Sequence, residues 1–318
     1  MLLNIFIGWE SAAGKADCCS EEVMIDPKVK TLLALVEIGN YTKTAQHLSL
    51  TQPAVSHHIR QIEEEYEIKI FHSGKKTLSL TPEGEVLVKY AKRLMAIEQK
   101  LTHALEDSKN SVRRYNVGTT TTVGEYVVSQ LFITYCSEHP GSHINIVTDN
   151  MNNLLNKLQS YELDWAIVDG RVPTEGFESI LLGSDYLCLV VSPLHPFAKR
   201  KSVSLAELKN ERFILRSPNA GTRALFESYL LNHAEDIRNF NILIEIDNIN
   251  TIKELVYSNL GITVMSHSAC REEETSGRLV TVPVVNFNVT REINIIYHHS
   301  FEDTEVLGEI RKIYNSRK

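Results

Sequence analysis

The stretch at residues 42–70, TKTAQHLSLTQPAVSHHIRQIEEEYEIKI, constrains the fold more than any other part of the chain. Thr42 is placed to cap a short helix, and the sequence SLT then interrupts the helical pattern. Thr51 is placed to cap a second helix with Gln52 and Pro53 in its first turn, where proline costs no hydrogen bond. The spacing therefore predicts two short helices joined by a tight turn.

The second helix of this pair has two chemically different faces. Apolar side chains recur at helical spacing and are expected to face the core at Val55, Ile59, Ile62 and Tyr66. The opposite face carries donors and acceptors suited to base edges and phosphates, at Gln52, Ser56, His57 and Arg60. This pattern favours a helix-turn-helix that enters a DNA groove, with Thr51 at its start as a further contact. An ordinary helical hairpin in a larger core is the alternative.

The next segment, FHSGKKTLSLT at residues 71–81, reads as a tight turn followed by a short alternating strand. Lys75 and Lys76 lie in that turn, where they can approach the phosphate backbone. A turn and strand after a helix pair have the composition of a wing. The segment therefore favours DNA binding over the plain hairpin.

Net charge adds little support to this interpretation. The chain carries a net charge of −7 at pH 7, and residues 27–82 contain seven Lys and Arg against five Asp and Glu. Such a chain is not a general polyanion binder, so the DNA-binding prediction rests on residue placement.

These residues also carry a family resemblance. Residues 30–94 resemble the winged helix-turn-helix of LysR-type transcriptional regulators through LLALVEIGNYTKTAQHLSLTQPAVSHHIRQIE and IFHSGKKTLSLTPEGE. The resemblance implies a homo-oligomeric bacterial repressor or activator that binds partly palindromic promoter DNA and responds to a small molecule. It places base contacts at Gln52, Pro53, Ser56 and His57, with Arg60 nearby. His57 and Ser73 depart from the arginines common in the family, which alters the expected base preference.

The pattern divides the chain into four parts. Residues 1–24 are expected to be a disordered extension or to lie upstream of a true start at Met24, and residues 25–81 form the winged helix-turn-helix. Residues 82–110 form a linker helix whose apolar seam predicts dimerisation, at Leu87, Tyr90, Leu94, Ile97, Leu101 and Ala104. Packing of that seam on the chain's own domain is the alternative. A polar hinge is predicted at residues 106–114, and residues 111–318 form an effector-binding domain.

From residue 115 onward, strand-like and helix-like segments alternate, which predicts a parallel sheet in an α/β domain. Two lobes joined by two crossings are expected, with lobe 1 at about residues 113–184 and 288–318 and lobe 2 at about residues 185–287. This arrangement resembles periplasmic binding proteins, as the effector domain of the family does. The predicted fold class is therefore α/β, with a winged helix-turn-helix and a long linker helix before a two-lobed domain.

Hydroxyl groups cluster at a helix start in each lobe, in TTTT at residues 119–122 and SPNAGTR at residues 217–223. Helix starts offer free N–H groups to anions, so a small carboxylate, sulfate or acyl amino acid is expected between the lobes. The candidate effector-binding residues are Thr120, Thr121, Thr122, Asn150, Ser217, Thr222, Arg223 and Asn248. Two alternatives stay open: in the first, one threonine caps the helix and the others are incidental strand residues; in the second, Arg223 forms a structural salt bridge.

The sequence contains no GxSxG or HExxH motif and no paired catalytic carboxylates, so an enzyme is not expected. Adjacent histidines diverge on a helix or strand, and the five scattered cysteines have no zinc spacing. No metal site is therefore expected. The thiols are expected to be reduced, with redox sensing as the alternative.

The predicted protein is a cytoplasmic regulator without a signal peptide or membrane span. Its expected partners are double-stranded promoter DNA and further copies of itself, as a dimer through the linker helix and a tetramer as is usual in the family. RNA polymerase is a candidate partner. No cofactor is expected apart from a small-molecule co-inducer of unknown identity. The competing interpretations are a solute-binding receptor and an enzyme on the same two-lobed fold.

Overall fold

The computed structural model describes residues 24–72, 78–110, 112–173 and 175–316. The chain divides into two compact units, with the division between Leu94 and Met95. The predicted α/β class is confirmed, since a helical N-terminal domain precedes a domain of alternating strands and helices. The predictions for residues 1–23 and for Lys75 and Lys76 fall outside the described residues.

Capping residues set the limits of the N-terminal helices, which are α1 (Pro27–Ile38), α2 (Tyr41–His47), α3 (Gln52–Glu65) and α4 (Pro82–Asn110). Gly39 ends α1 in the left-handed conformation with φ of 69°, as expected. The prediction that Thr42 caps α2 is wrong. Asn40 caps it, because the Asn40 Oδ1 accepts the Lys43 N–H at 3.0 Å. Thr51 caps α3 as predicted, through its hydroxyl.

The aliphatic face of α3 lies in the core of the N-terminal domain. Val55, Ile59 and Ile62 are buried against α1 and α2, as predicted. The prediction that Tyr66 joins them is wrong, since Tyr66 is 57% exposed. The physical reason is that α3 ends at Glu65, so Tyr66 no longer follows the helical repeat.

The start of α4 depends on a threonine and a glycine. The Thr81 hydroxyl accepts the Gly84 N–H at 3.0 Å and donates to the Lys69 carbonyl. Any side chain at Gly84 would collide with the Ile70 carbonyl, so only glycine fits there. The prediction of a hinge at residues 106–114 is wrong for its first part. No proline or glycine interrupts EDSKN, and α4 continues to Asn110.

One sheet organises the first lobe of the C-terminal domain, and its strands are β1 (Arg113–Thr119), β2 (Ser142–Thr148), β3 (Trp165–Asp169), β4 (Phe177–Val191) and β9 (Thr290–His298). Their order is β2-β1-β3-β9-β4, with β1 parallel to β2 and β3 as predicted, and β9 antiparallel to β3 and β4. The helices on its two faces are α5 (Thr121–Val123), α6 (Ser129–Glu138), α7 (Met151–Gln159) and α12 (Thr304–Asn315), and a π-helical turn (Gly124–Val128) joins α5 to α6. These elements are called lobe 1 here, apart from the shared strand β4.

The second lobe alternates short strands and helices between β4 and β9. Its elements are α8 (Leu205–Leu208), β5 (Arg212–Leu215), α9 (Gly221–Asn232), β6 (Asn241–Glu245), α10 (Ile249–Tyr257), β7 (Thr263–Ser266), α11 (His267–Thr275) and β8 (Val280–Val282). They are called lobe 2. The far half of β4 pairs with β7 and β8, and β5 pairs with β6 in parallel. Because β4 crosses from one lobe to the other, the lobes share a continuous strand.

Candidate DNA interface and effector site

The polar face of α3 is open to solvent. Gln52, Pro53, His57 and Arg60 are exposed, and Ser56 is half-buried. The Gln52 amide donates to the Ser56 hydroxyl at 3.0 Å, one helical turn further on. The face thus presents amide, hydroxyl, imidazole and guanidinium groups, while Val55, Ile59 and Ile62 on the same helix are buried in the domain.

The neighbouring histidines of α3 differ in environment. His57 is exposed, whereas His58 Nδ1 lies 2.9 Å from the Thr31 hydroxyl oxygen on α1. A contact between two helices at this point fixes the rotation of α3 about its own axis. His58 is therefore a supporting residue that the sequence interpretation did not identify, and its only signal was its place beside a buried position.

A small cavity lies between the lobes of the C-terminal domain. Thr122 contributes from lobe 1, and Arg216, Thr222 and Ser266 are its main polar residues in lobe 2, beside an aliphatic wall from α10 and β7. Its volume is about 10 Å³, which is about the room that one water molecule needs. Two residues predicted separately, Thr122 and Thr222, therefore meet at one site.

Arg216 is the cation of this cavity. It is buried, with 8% of its surface exposed, and its Nε lies 3.6 Å from Asp247 Oδ1. That Nε makes no hydrogen bond to any residue that the structure describes. A buried guanidinium with a spare donor, next to two threonines, can bind an oxyanion. Arg216 directly follows strand β5 and was not among the predicted site residues, whereas Arg223 was.

Most of the other predicted effector residues form hydrogen bonds or ion pairs of their own. Thr120 donates to Asp169, and Ser217 donates to Asp247 Oδ1 at 2.6 Å, while Thr121 is half-buried at the start of α5. Arg223 is buried in ion pairs with Glu227 and Glu245, so it forms the structural salt bridge that the sequence left open as an alternative. Asn150 caps α7 and Asn248 caps α10. None of these six residues lines the cavity.

Tyr126 makes a second contact between the lobes. It lies on the π-helical turn of lobe 1 and packs against a hydrophobic cluster of lobe 2. Its hydroxyl donates to Asn250 Oδ1 at 3.2 Å, and Lys253 Nζ lies 4.8 Å from the ring centre. Burial raises the pKa of the Tyr126 phenol, which therefore stays a neutral donor at physiological pH.

Two family descriptions match the chain at the parts just described. Residues 28–85 match the bacterial regulatory helix-turn-helix protein, lysR family, and residues 108–313 match the LysR substrate binding domain. The chain belongs to the LysR family. It is therefore a DNA-binding transcriptional regulator that responds to a small metabolite, and its relatives are regulators and not enzymes. The predicted family, fold and general function are confirmed.

Individual relatives are distant but cover most of the chain. The HTH-type transcriptional regulator CysL of Bacillus subtilis is 24% identical over 87% of this LysR-family chain and 92% of its own. Full-length CbnR complexed with its target DNA has a TM-score of 0.65 at 14% identity, covering 92% of this chain and 99% of its own. The regulatory domain of Synechocystis PCC6803 CcmR in complex with 2-PG has a TM-score of 0.57 at 20% identity. The match covers 64% of this chain and 97% of the CcmR domain.

Among the described residues of this LysR-family regulator, no group of three or more His, Cys, Asp or Glu side chains could hold a metal ion. In the same part of the chain, no helix is both long enough and apolar enough to cross a membrane.

Proposed function

We propose that α3 reads base edges in the major groove of promoter DNA, through Gln52, Pro53, Ser56, His57 and Arg60, with Thr51 at the groove edge. The observation that carries this is the division of α3 into an exposed polar face and a buried aliphatic face. Gln and Arg side chains can each make paired hydrogen bonds to a base, which gives sequence discrimination. Lys75 and Lys76 are proposed to contact the phosphate backbone beside it.

A gel shift with the promoter next to the protein's own gene tests this at fixed salt. Arg60→Ala should weaken binding at least tenfold, because a base or phosphate contact is lost from α3. Arg238→Ala is the matched control, since Arg238 is an exposed arginine of lobe 2 whose side chain is 86% exposed. Equal binding by both variants and the unaltered protein would refute the proposed contact.

We infer that two copies pair through α4. Val86, Tyr90 and Leu94 are more than half exposed on α4, and together with α1 they border a groove of about 550 Å³. Ile97, Leu101 and Leu105 continue the exposed apolar stripe. A stripe at this spacing fits a partner helix, and the other copy supplies one with the same stripe. A tetramer of two such dimers, and RNA polymerase as a partner at the promoter, belong to the same proposal.

Light scattering coupled to size-exclusion chromatography measures the molecular mass of this assembly. Tyr90→Glu with Leu94→Glu should yield a lower mass than the unaltered protein, because two charges would enter an apolar seam. Lys92→Glu changes an exposed residue of the same helix outside the stripe and should leave the mass unchanged. An unaltered mass in the double variant would exclude pairing through α4.

We further propose that the cavity between the lobes binds a small anionic co-inducer. Arg216 supplies the charge, and Thr122 and Thr222 supply hydroxyl donors. The CcmR regulatory domain named above is bound to 2-PG, which supports a small-molecule site in this kind of domain. Thr120, Thr121, Ser217, Arg223, Asn150 and Asn248 remain proposed as surrounding residues. Because the target is promoter DNA, the proposal places the protein in the cytoplasm.

Thermal unfolding with inorganic phosphate, sulfate or 2-PG at constant ionic strength tests the anion site. A ligand that binds only the folded state raises the unfolding temperature, and the rise grows with the logarithm of the ligand concentration once that concentration exceeds Kd. Arg216→Ala should abolish the rise, whereas Arg238→Ala should retain it. A rise of the same size in Arg216→Ala would show that the anion binds elsewhere.

A further inference from the structure

The cavity between the lobes is too small for a metabolite in this conformation. Its volume of about 10 Å³ accommodates one water molecule, yet its walls come from both lobes, with Thr122 on one side and Arg216 and Thr222 on the other. A ligand larger than water can enter only if the lobes separate. Whatever holds the lobes together without ligand therefore opposes ligand binding.

Arg291 on β9 is at the centre of the polar contacts between the lobes. Its side chain is 2% exposed, and it forms ion pairs with Asp169 at the end of β3 and with Asp185 on β4, the latter at 3.1 Å. The Nη1 that pairs with Asp169 also donates to the Thr222 hydroxyl of α9, at 3.4 Å. One guanidinium thus contacts lobe 1, the shared strand and lobe 2.

The two carboxylates extend this cluster into both lobes. Asp169 accepts a hydrogen bond from Thr120, directly before the first helix of lobe 1. Asp185 accepts two hydrogen bonds from Ser268 on α11 of lobe 2, one from the hydroxyl at 2.7 Å and one from the N–H at 3.3 Å. Separation of the lobes would break the hydrogen bonds from Arg291 to Thr222 and from Ser268 to Asp185. Hydrogen bonds to buried charged groups are among the most costly to lose.

We propose that the Arg291 cluster, which is Arg291 with Asp169, Asp185, Thr222 and Ser268, is a latch that holds the lobes closed over the cavity. The proposal deepens the proposed effector function and rests on it. The latch sets the fraction of protein whose cavity is open to an anion, and apparent affinity scales with that fraction. Thr222 belongs to both the cavity and the latch, since it lines the cavity and accepts a hydrogen bond from Arg291.

Arg291→Lys isolates the latch from simple charge effects. Lysine keeps the positive charge, but its single ammonium group cannot reproduce the planar fork that reaches Asp169, Asp185 and Thr222 together. Arg278→Lys is the matched control. Arg278 forms a paired contact with Glu254 at 2.6 and 2.7 Å, but this pair is solvent-exposed and lies wholly within lobe 2.

Lobe separation can be measured directly by pulsed electron spin resonance on the full-length protein, with the labelled chain diluted in an excess of unlabelled chain so that the distances lie within one copy. One spin label is placed on the exposed Cys136 of lobe 1, and a second on Ser228→Cys of α9 in lobe 2, with Cys18 and Cys19 replaced by serine. Without ligand, Arg291→Lys should show a population at longer distances than the parent protein. Arg278→Lys should match the parent. A parent-like distribution in folded Arg291→Lys would overturn the latch.

Inorganic phosphate is the probe for the second readout. Arg291→Lys should bind phosphate at least fivefold more tightly than the parent, because less protein is held closed. Unchanged or weaker binding would also overturn the latch. If Arg291→Lys does not fold, Ser268→Ala is the substitute, because it removes one hydroxyl contact to Asp185. It should give smaller increases in the label distance and in phosphate affinity. Parent-like distances and affinity in Ser268→Ala would overturn the latch. Absence of phosphate binding by the parent would instead refute the effector proposal, since the distance measurement needs no ligand.

Discussion

Thr31 on α1 and His58 on α3 are joined by a hydrogen bond of 2.9 Å between the threonine hydroxyl oxygen and the imidazole Nδ1. Thr31 is buried, and its hydroxyl also donates to the Pro27 carbonyl at 3.1 Å. The bond connects residues that are 27 positions apart in the chain. It fixes the rotation of α3, so that the adjacent His57 faces solvent.

Thr31→Val should destabilise the N-terminal domain by about 1 kcal/mol, the usual net value of one hydrogen bond. Urea unfolding followed by circular dichroism measures the change. Thr102→Val is a suitable control, because the exposed Thr102 hydroxyl donates to a carbonyl of its own helix, that of Glu98, at 3.0 Å. If Thr31→Val lowers the free energy of unfolding no more than Thr102→Val does, the contact with His58 does not stabilise the domain.

Replacing the cap of α2 distinguishes Asn40 from Thr42. Asn40→Ala should cost about 1 kcal/mol, because the Lys43 N–H would lose its side-chain acceptor. Thr42→Ala should be nearly neutral, since Thr42 is exposed and lies inside the helix. The free energies of unfolding in urea decide between them. The reverse ranking would restore Thr42 as the cap.

The cysteines should differ sharply in reactivity. Cys136 is exposed, whereas Cys188 and Cys270 are buried with their sulfur atoms 3.6 Å apart. The hydrogen bond with Cys270, together with burial, raises the pKa of the Cys188 thiol, so its reactive thiolate is scarce at pH 8. With Cys18 and Cys19 replaced by serine, Ellman's reagent should titrate one thiol in the native protein and three in urea. Three fast thiols in the native protein would contradict the structure.

The DNA-binding part of the fold was predictable because its signals are local. The spacing of Val55, Ile59 and Ile62, and the cap at Thr51, can be read within one helix. Errors arose where two residues competed for one role, as Asn40 and Thr42 did, or where a helix ended a residue early, as at Tyr66. Such choices depend on backbone geometry that differs by one residue.

The effector site was less predictable because its residues come from distant parts of the chain. Thr122 and Thr222 were identified from helix starts, but which arginine reaches them depends on packing. Arg223 turned towards Glu227 and Glu245, and Arg216 towards the cavity. Arg291 lies on a strand near the C-terminus, and its carboxylate partners only become neighbours when β3, β4 and β9 pair.

The most direct test of the account is a loss-of-contact experiment with Gln52→Ala. Binding of the unaltered protein and of the variant is measured, at one salt concentration, to a set of promoter fragments with each base pair replaced in turn. If α3 reads the groove, the variant should become indifferent to one base pair in each half-site that the unaltered protein discriminates by about tenfold or more. Identical base preferences at every position, whatever the overall affinity, would contradict the claim that this face of α3 recognises sequence.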